Sequence, residues 1–216
     1  MNSVEFVKAL SEIRLKAVFN PYRERCPIHD RADAPTIRRT NLLSVIQEAM
    51  RIKVESIWIA RDLGYRGGRR TGLPLTDEIH LPDMSRVFGG IPLTRSTTGS
   101  VVAERTAKVI WGLLSVLGQP VFLWNIFPLH PFEPGSPLSN RCHTRAEREN
   151  CDIFLFKILQ MLMPERIVAI GRDAEMALNQ LGIPCCGVRH PSYGGEADFI
   201  RGMMNIYGKM PRPLGL

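Results

Sequence analysis

The sequence predicts an α/β fold: a three-layer α/β/α sandwich around a central four-stranded, mainly parallel sheet. Four short runs of β-branched and aromatic residues, each bounded by turn signals, are typical of buried strands. Segments with helical apolar periodicity lie between them. Strands that alternate with helices form parallel sheets covered on both faces. The predicted strands are residues 56–60, 121–127, 166–170 and 185–188.

Helices are predicted where apolar residues recur every three or four positions and the segment ends carry start or stop signals. Thr36 can cap the second helix, and Thr144 followed by Glu147 is a capping-box pattern. Gly118 and Pro120 end the third helix. The predicted helices are residues 4–19, 36–53, 101–117, 144–163, 173–181 and 196–207, and the long loops are 20–35, 61–95 and 128–140.

Length and composition favour one globular domain over residues 1–216. The chain has 44% hydrophobic and 23% charged residues, which excludes a disordered or collagen-like protein. No apolar run is long enough to cross a bilayer, and the N-terminal residues, interrupted by Glu5, do not form a secretory signal. Five cysteines, with Cys185 and Cys186 adjacent, argue against a disulfide framework and for a cytoplasmic protein.

The charge balance favours a polyanionic partner. Lys and Arg number 28 against 21 Asp and Glu, a net charge of +7. Such an excess is typical of nucleic-acid-binding proteins, although an arginine-rich composition also reflects genomic base bias. We expect a polyanionic partner such as nucleic acid and no membrane association.

Three polar residues each follow or end a different predicted strand: Asp62, Asn125 and His190. Taken singly, each has an ordinary structural explanation, as a turn-forming Asp, a loop Asn and a structural His. Parallel strands bring their carboxyl ends to one edge of the sheet, where ligands of α/β folds bind. Together the three residues therefore predict one site, with a carboxylate, an amide that can read a base edge and an imidazole.

The same residues lie in segments that resemble the signature motifs of the uracil-DNA glycosylase superfamily. They appear in the family's order: residues 60–65 (Ala-Arg-Asp-Leu-Gly-Tyr), 123–128 (Leu-Trp-Asn-Ile-Phe-Pro) and 190–193 (His-Pro-Ser-Tyr). Residues 71–75 (Thr-Gly-Leu-Pro-Leu) are similar to the Thr-Gly-Val-Pro-Phe of the single-strand-selective branch. The resemblance extends over roughly residues 56–208.

The resemblance implies a DNA-binding monomer that hydrolyses the N-glycosidic bond of uracil in single- or double-stranded DNA, leaving an abasic site. Asp62 would orient the water and offset positive charge on the sugar. His190 would hydrogen-bond uracil O2 as negative charge grows there, and Asn125 would pair with N3 and O4 and so exclude cytosine. After the base leaves the stack, Ser192 and Tyr193 would fill the gap. The alternative for Tyr193 is a residue packed at the start of the last helix.

Two departures from the family pattern predict a wider substrate range. Gly64 stands where the narrow-specificity branch has a Tyr that blocks the 5-methyl group of thymine, and Leu75 where most relatives have a stacking Phe. We therefore expect C5-modified uracils, and other deaminated bases, to be tolerated, with Phe127 as a replacement stacking ring. Five arginines near the motifs are predicted to contact phosphates: Arg61, Arg66, Arg69, Arg70 and Arg189.

No metal or cofactor is predicted. Iron-sulfur relatives use four cysteines, and Cys151 matches one of their positions while Leu129 occupies another. A zinc site from Cys26 and His29 with residues 142–143 would have non-standard spacing.

No lysine lies in the three motifs, which favours water as the nucleophile over a Schiff base. The alternative function is a non-catalytic protein of the same fold that retains uracil or abasic DNA. A third possibility is an unrelated α/β hydrolase of nucleosides.

Overall fold

The computed structural model describes residues 1–208, so the last eight residues of the predicted domain, 209–216, lie outside the described residues. The strands are β1 (Val18–Phe19), β2 (Ser56–Asp62), β3 (Phe122–Phe127), β4 (His130–Pro131), β5 (Arg166–Ile170) and β6 (Cys186–Val188). The helices are α1 (Ser3–Glu12), α2 (Ala34–Ile52), α3 (Gly68–Thr71), α4 (Leu81–Val87), α5 (Arg105–Leu117), α6 (Arg145–Glu149), α7 (Asp152–Leu162), α8 (Arg172–Gln180) and α9 (Glu196–Tyr207).

The central sheet has the strand order β3-β2-β5-β6, and every pairing in it is parallel. The predicted α/β/α sandwich with a four-stranded sheet is confirmed. Two tryptophans on the neighbouring strands β2 and β3 pack against helices on opposite faces of the sheet. Trp124 of β3 contacts Phe6 of α1, whereas Trp58 of β2 contacts Phe199 of α9. Because Trp58 is in register with Leu123, the neighbour of Trp124, the two indoles point to opposite faces and both faces are covered.

The first predicted helix is too long. α1 ends at Glu12, Ala17 has a positive φ of 54°, and residues 18–19 form β1, which pairs antiparallel with β4 in a second, two-stranded sheet. The apolar residues at 18 and 19 that suggested helical periodicity are therefore buried by strand pairing. Tertiary pairing has overridden the local pattern here.

Other element boundaries also differ from the prediction. α2 begins at Ala34, so Thr36 lies inside the helix and its hydroxyl accepts a hydrogen bond from Arg39 instead of capping. The Thr144 capping box is confirmed, but the helix that it starts breaks after Glu149 and resumes as α7. The long predicted loop 61–95 contains α3 and α4.

A buried ion pair joins the loop before α2 to α2, and the same arginine hydrogen-bonds to α3. The Arg38 guanidinium is fully buried, lies 2.5 Å from Asp30 Oδ1, and donates through Nε to the Arg70 carbonyl oxygen. Removing one partner of such a pair leaves a buried charge without compensation, which is costly. Through Asp30 and Arg38, the segment 20–35 therefore supports α3, which follows the first motif. No helix within residues 1–208 is long and apolar enough to cross a bilayer.

Candidate functional site

Strand register brings the predicted site residues to one edge of the sheet. Asp62 is the last residue of β2 and is in register with Phe127 of β3, and Ala60 is in register with Asn125. His190 follows β6 by two residues. Arg61 and Asp173 both influence the pKa of His190, and Arg61 also pairs with Asp62, so these side chains share one charged environment.

Asn125 is the most unusual polar group in the described structure. Its side chain is fully buried, and neither its amide nitrogen nor its oxygen has a hydrogen-bond partner within residues 1–208. It is the one described residue whose buried donor and acceptor are both unpaired. Buried polar groups are nearly always hydrogen-bonded, because an unpaired one costs about 1–3 kcal/mol. The unpaired Asn125 amide has one donor and one acceptor, and it is therefore suited to a ligand that offers an acceptor and a donor side by side.

Asp62 is held by two donors. Its side chain is only 7% exposed; Oδ2 accepts from Arg61 Nε at 2.6 Å, and Oδ1 is bound to Nδ1 of His143. Arg61 also donates to Asp173 Oδ2 at 2.5 Å, which ties the end of β2 to α8. The Asp62 side chain is thus held in one orientation at the carboxyl edge of the sheet.

His143 is a site residue that sequence reasoning misses. The sequence suggests only a zinc-ligand role for it, yet its ring binds Asp62 and lies 5.3 Å from the ring of Phe127. The hydrogen bond spans 81 positions of sequence, and no short motif could have shown it. Within residues 1–208 no group of three or more His, Cys, Asp or Glu side chains could hold a metal ion, although Cys26 and His29 are 3.5 Å apart.

His190 is oriented by the residues that follow it. The Ser192 backbone N–H donates to Nδ1 at 3.2 Å, and the Ser192 hydroxyl lies 2.7 Å from the same atom. Because Nδ1 accepts a backbone hydrogen, the proton of the neutral ring is on Nε2. Burial lowers the pKa of His190, and the nearby Arg61 and Arg189 lower it further. The ring is therefore a neutral donor through Nε2, which has no hydrogen-bond partner in the described chain.

Tyr193 is at the tip of the loop between β6 and α9. Its side chain is 95% exposed, and its φ of 51° is in the left-handed region that residues other than Gly rarely adopt. The alternative that it packs at the start of the last helix is therefore wrong. An exposed aromatic ring held by a strained backbone is a feature typical of functional sites.

The structure corrects two of the five predicted phosphate contacts. Arg69 and Arg70 are 3% and 7% exposed. The Arg69 guanidinium lies 3.8 Å from the ring centroid of Phe19 and 2.9 Å from His130 Nδ1, while Arg70 pairs with Glu78. The glycine-rich sequence around them suggested an exposed loop, but α3 turns both side chains into the interior.

The three other arginines predicted to contact phosphates differ in their exposure and in their ion pairing. Arg61 is half-buried and forms ion pairs with two carboxylates of the protein itself, Asp62 and Asp173. Arg66 is exposed, with its guanidinium over the ring of Tyr65. Arg189 is exposed beside His190. Arg66 and Arg189 are accordingly the accessible positive charges of the set.

The space beside Gly64 is occupied by a carboxyl group. A β-carbon added at Gly64 or at Gly67 would overlap the carboxyl oxygens of Glu104. Burial raises the pKa of Glu104 to about 7, with a further contribution from Asp77 and an opposing one from Arg66. Leu75, by contrast, is buried in the core with a φ of 54°. The pocket wall at Gly64 is polar, which the sequence did not predict.

Comparison with solved structures places the fold among known proteins. The chain is similar to the crystal structure of wild-type SMUG2 from Pedobacter heparinus, with a TM-score of 0.60 and 13% sequence identity over 96% of this chain and 97% of that chain. At this identity the likeness shows the fold alone. No family model matches the chain, and no curated protein matches its sequence.

The unpaired amide of Asn125 predicts an unusual response to mutation. Asn125→Ala removes no hydrogen bond of the protein, so we expect the free energy of unfolding to stay the same or to rise. Asn41→Ala is the matched control, because this equally buried Asn exchanges two hydrogen bonds with the Thr94 backbone. Its removal should cost about 1–3 kcal/mol. Urea denaturation measures both, and an equal destabilisation in Asn125→Ala would contradict the unpaired state.

Proposed function

We propose that this protein is a monofunctional uracil-DNA glycosylase, which hydrolyses the N-glycosidic bond of uracil in DNA and leaves an abasic site. The observation that carries the proposal is the buried, unpaired amide of Asn125 at the same sheet edge as Asp62 and His190. The fold shared with SMUG2, a DNA glycosylase, supports a glycosylase-like function in general and does not bear on the choice of base.

Recognition rests on the hydrogen-bonding pattern of the base. Uracil presents an N3–H donor beside the O4 acceptor, and an amide offers the complementary acceptor and donor. Cytosine has an acceptor at N3 and a donor at C4, which leaves the same amide mismatched. Because Asn125 and Phe127 are fully buried, a base that reaches them displaces the side chains that cover the pocket. Loop motion on substrate entry is common in enzymes.

Bond cleavage builds opposite charges on the two products. The sugar becomes positive, and the carboxylate of Asp62 offsets this charge and orients the water. The departing uracil becomes negative, and the Nε2–H of His190 donates to its O2. A neutral imidazole suits this role because it adds no positive charge next to the developing cation. The arrangement gives each developing charge a preorganised partner.

Excision kinetics test the proposal. Wild-type protein should release uracil from single- or double-stranded DNA under single-turnover conditions. Asp62→Asn, Asn125→Ala and His190→Ala should each lower the rate about 10²–10⁴-fold, because each removes a transition-state interaction. Asp198→Asn, exposed on α9, is the control and should leave the rate unchanged. If Tyr193 wedges the duplex, Tyr193→Ala should slow excision from double-stranded DNA more than from single strands.

Two outcomes separate the proposal from its alternatives. If wild-type protein binds uracil DNA at stoichiometric concentration without releasing the base, the non-catalytic binding function is favoured. If it cleaves free deoxyuridine and binds DNA without salt dependence, a nucleoside hydrolase is favoured.

The wall formed by Gly64 and Glu104 supports tolerance of C5-modified uracils. With a pKa near 7, the Glu104 carboxyl can donate or accept a hydrogen bond at neutral pH, and a polar C5 substituent provides either partner. We expect release of 5-hydroxymethyluracil as well as uracil, measured on a substrate panel that includes hypoxanthine. Activity on plain uracil alone would contradict a widened pocket.

The exposed arginines predict the location of DNA contact. Replacing Arg66 and Arg189 by Ala should weaken binding and lower the salt slope, log Kd against log salt, by roughly one for each phosphate that is no longer neutralised. Arg51→Ala is the control, since Arg51 is exposed near the end of α2, before β2 begins, and thus at the opposite edge of the sheet. An equal effect from Arg51→Ala would place the DNA elsewhere.

A further inference from the structure

The imidazole of His143 bridges the ends of two neighbouring strands. Nδ1 binds Asp62 Oδ1 at the end of β2, and the ring lies 5.3 Å from that of Phe127 at the end of β3. Asp62 and Phe127 are register partners, and Asn125 lies two residues before Phe127. The imidazole is therefore at the carboxyl edge of the sheet, next to the residues of the proposed base pocket.

The loop that carries His143 is firmly anchored. Arg141 forms a bidentate pair with Glu147, with N···O distances of 2.8 and 2.6 Å, and also donates to the carbonyl oxygens of Phe132 and Ala17. Bidentate Arg–carboxylate pairs fix geometry as well as adding energy. The position of His143 is consequently set by the fold and is not that of a free surface side chain.

The hydrogen bond fixes the role of each ring nitrogen. The Asp62 carboxylate already accepts from Arg61 and can only accept from His143, so Nδ1 donates. In the neutral ring this leaves a lone pair on Nε2, and that atom has no hydrogen-bond partner within residues 1–208. Asp152 at the start of α7 also interacts electrostatically with the His143 ring. A carboxylate on one nitrogen and a free lone pair on the other make the ring a competent base.

We infer that His143, oriented by Asp62, is the base that takes the proton of the attacking water. The inference rests on the proposed glycosylase function and revises the role of Asp62, whose two oxygens are both occupied by donors. In the reaction the water oxygen bonds to C1′ while the C1′–N1 bond breaks. The electron pair of the broken C1′–N1 bond leaves with uracil. The water proton moves to His143 Nε2, and Asp62 stabilises the imidazolium. His143 then releases the proton to solvent, and the uracil anion takes one from solvent.

A pair of substitutions separates a base from a positioning residue. His143→Asn places an amide nitrogen near the former Nδ1 and retains a donor to Asp62, but it has no basic lone pair. His143→Ala removes both functions. If His143 is the base, both variants should excise uracil about 10²–10⁴-fold more slowly than wild type. Added imidazole should restore part of the rate of His143→Ala, because it can enter the space left by the ring.

The control is a second Asp–His pair of the same kind. His80 Nδ1 lies 2.6 Å from Asp77 Oδ1, and the ring stacks on Trp111 of α5. Asp77 also accepts a hydrogen bond from the Glu104 backbone N–H, and His80→Asn keeps a donor to Asp77, so this contact is retained. His80→Asn should leave the rate of uracil excision unchanged. Thermal unfolding and binding to abasic DNA report whether each variant is folded. If His143→Ala does not fold, His143→Asn decides the question alone.

The experiment distinguishes failure of the His143 inference from failure of the proposed function. A rate for folded His143→Asn within tenfold of wild type would overturn this inference, because retention of the donor alone would suffice, and it would leave the proposed function intact. A rate for His143→Ala that imidazole does not raise would also count against the base. A wild-type protein that releases no uracil would overturn the proposed function and this inference together.

Discussion

β2 is hydrogen-bonded in parallel to β3 on one side and to β5 on the other, and the geometry of the site depends on this double pairing. Because the register puts Asp62 opposite Phe127 and Ala60 opposite Asn125, a carboxylate and an amide from distant segments meet at one edge. The pairing is buried under helices on both faces, which makes a register shift costly: it would turn every side chain to the wrong face. The positions of Asp62 and Asn125 are therefore as fixed as the sheet itself.

Two histidines at this edge have opposite hydrogen-bonding roles, and the protein sets each role through Nδ1. His190 accepts a backbone hydrogen at Nδ1 and so presents Nε2–H, whereas His143 donates to Asp62 through Nδ1 and so presents an Nε2 lone pair. Hydrolysis of a glycosidic bond needs a donor for the leaving base and an acceptor for the water proton. Environments that set two titratable groups to opposite tasks are a recurring feature of catalytic sites.

Structural features set by residues close together in the chain are the easiest to predict from the sequence. The strands are evident from their β-branched runs, and parallel topology places Asp62, Asn125 and His190 at one edge. What the sequence could not show are contacts set by tertiary packing. Three such contacts depend on how the loops fold over the sheet: the hydrogen bond between Asp62 and His143, which are 81 positions apart, the Glu104 carboxyl against Gly64, and the burial of Arg69 and Arg70. Strand pairing likewise turns the predicted end of α1 into β1.

The unpaired amide of Asn125 is the proposed recognition element for uracil. The most direct test follows the side-chain amide resonance of Asn125 by ¹H–¹⁵N NMR while free uracil or cytosine is added, with Asn125→Ala for assignment. If Asn125 binds uracil, the base should shift this resonance downfield, because the amide donates to O4. Cytosine should leave the resonance unchanged. An Asn125 resonance that does not respond to uracil while resonances elsewhere do would place the base in another site and contradict the account.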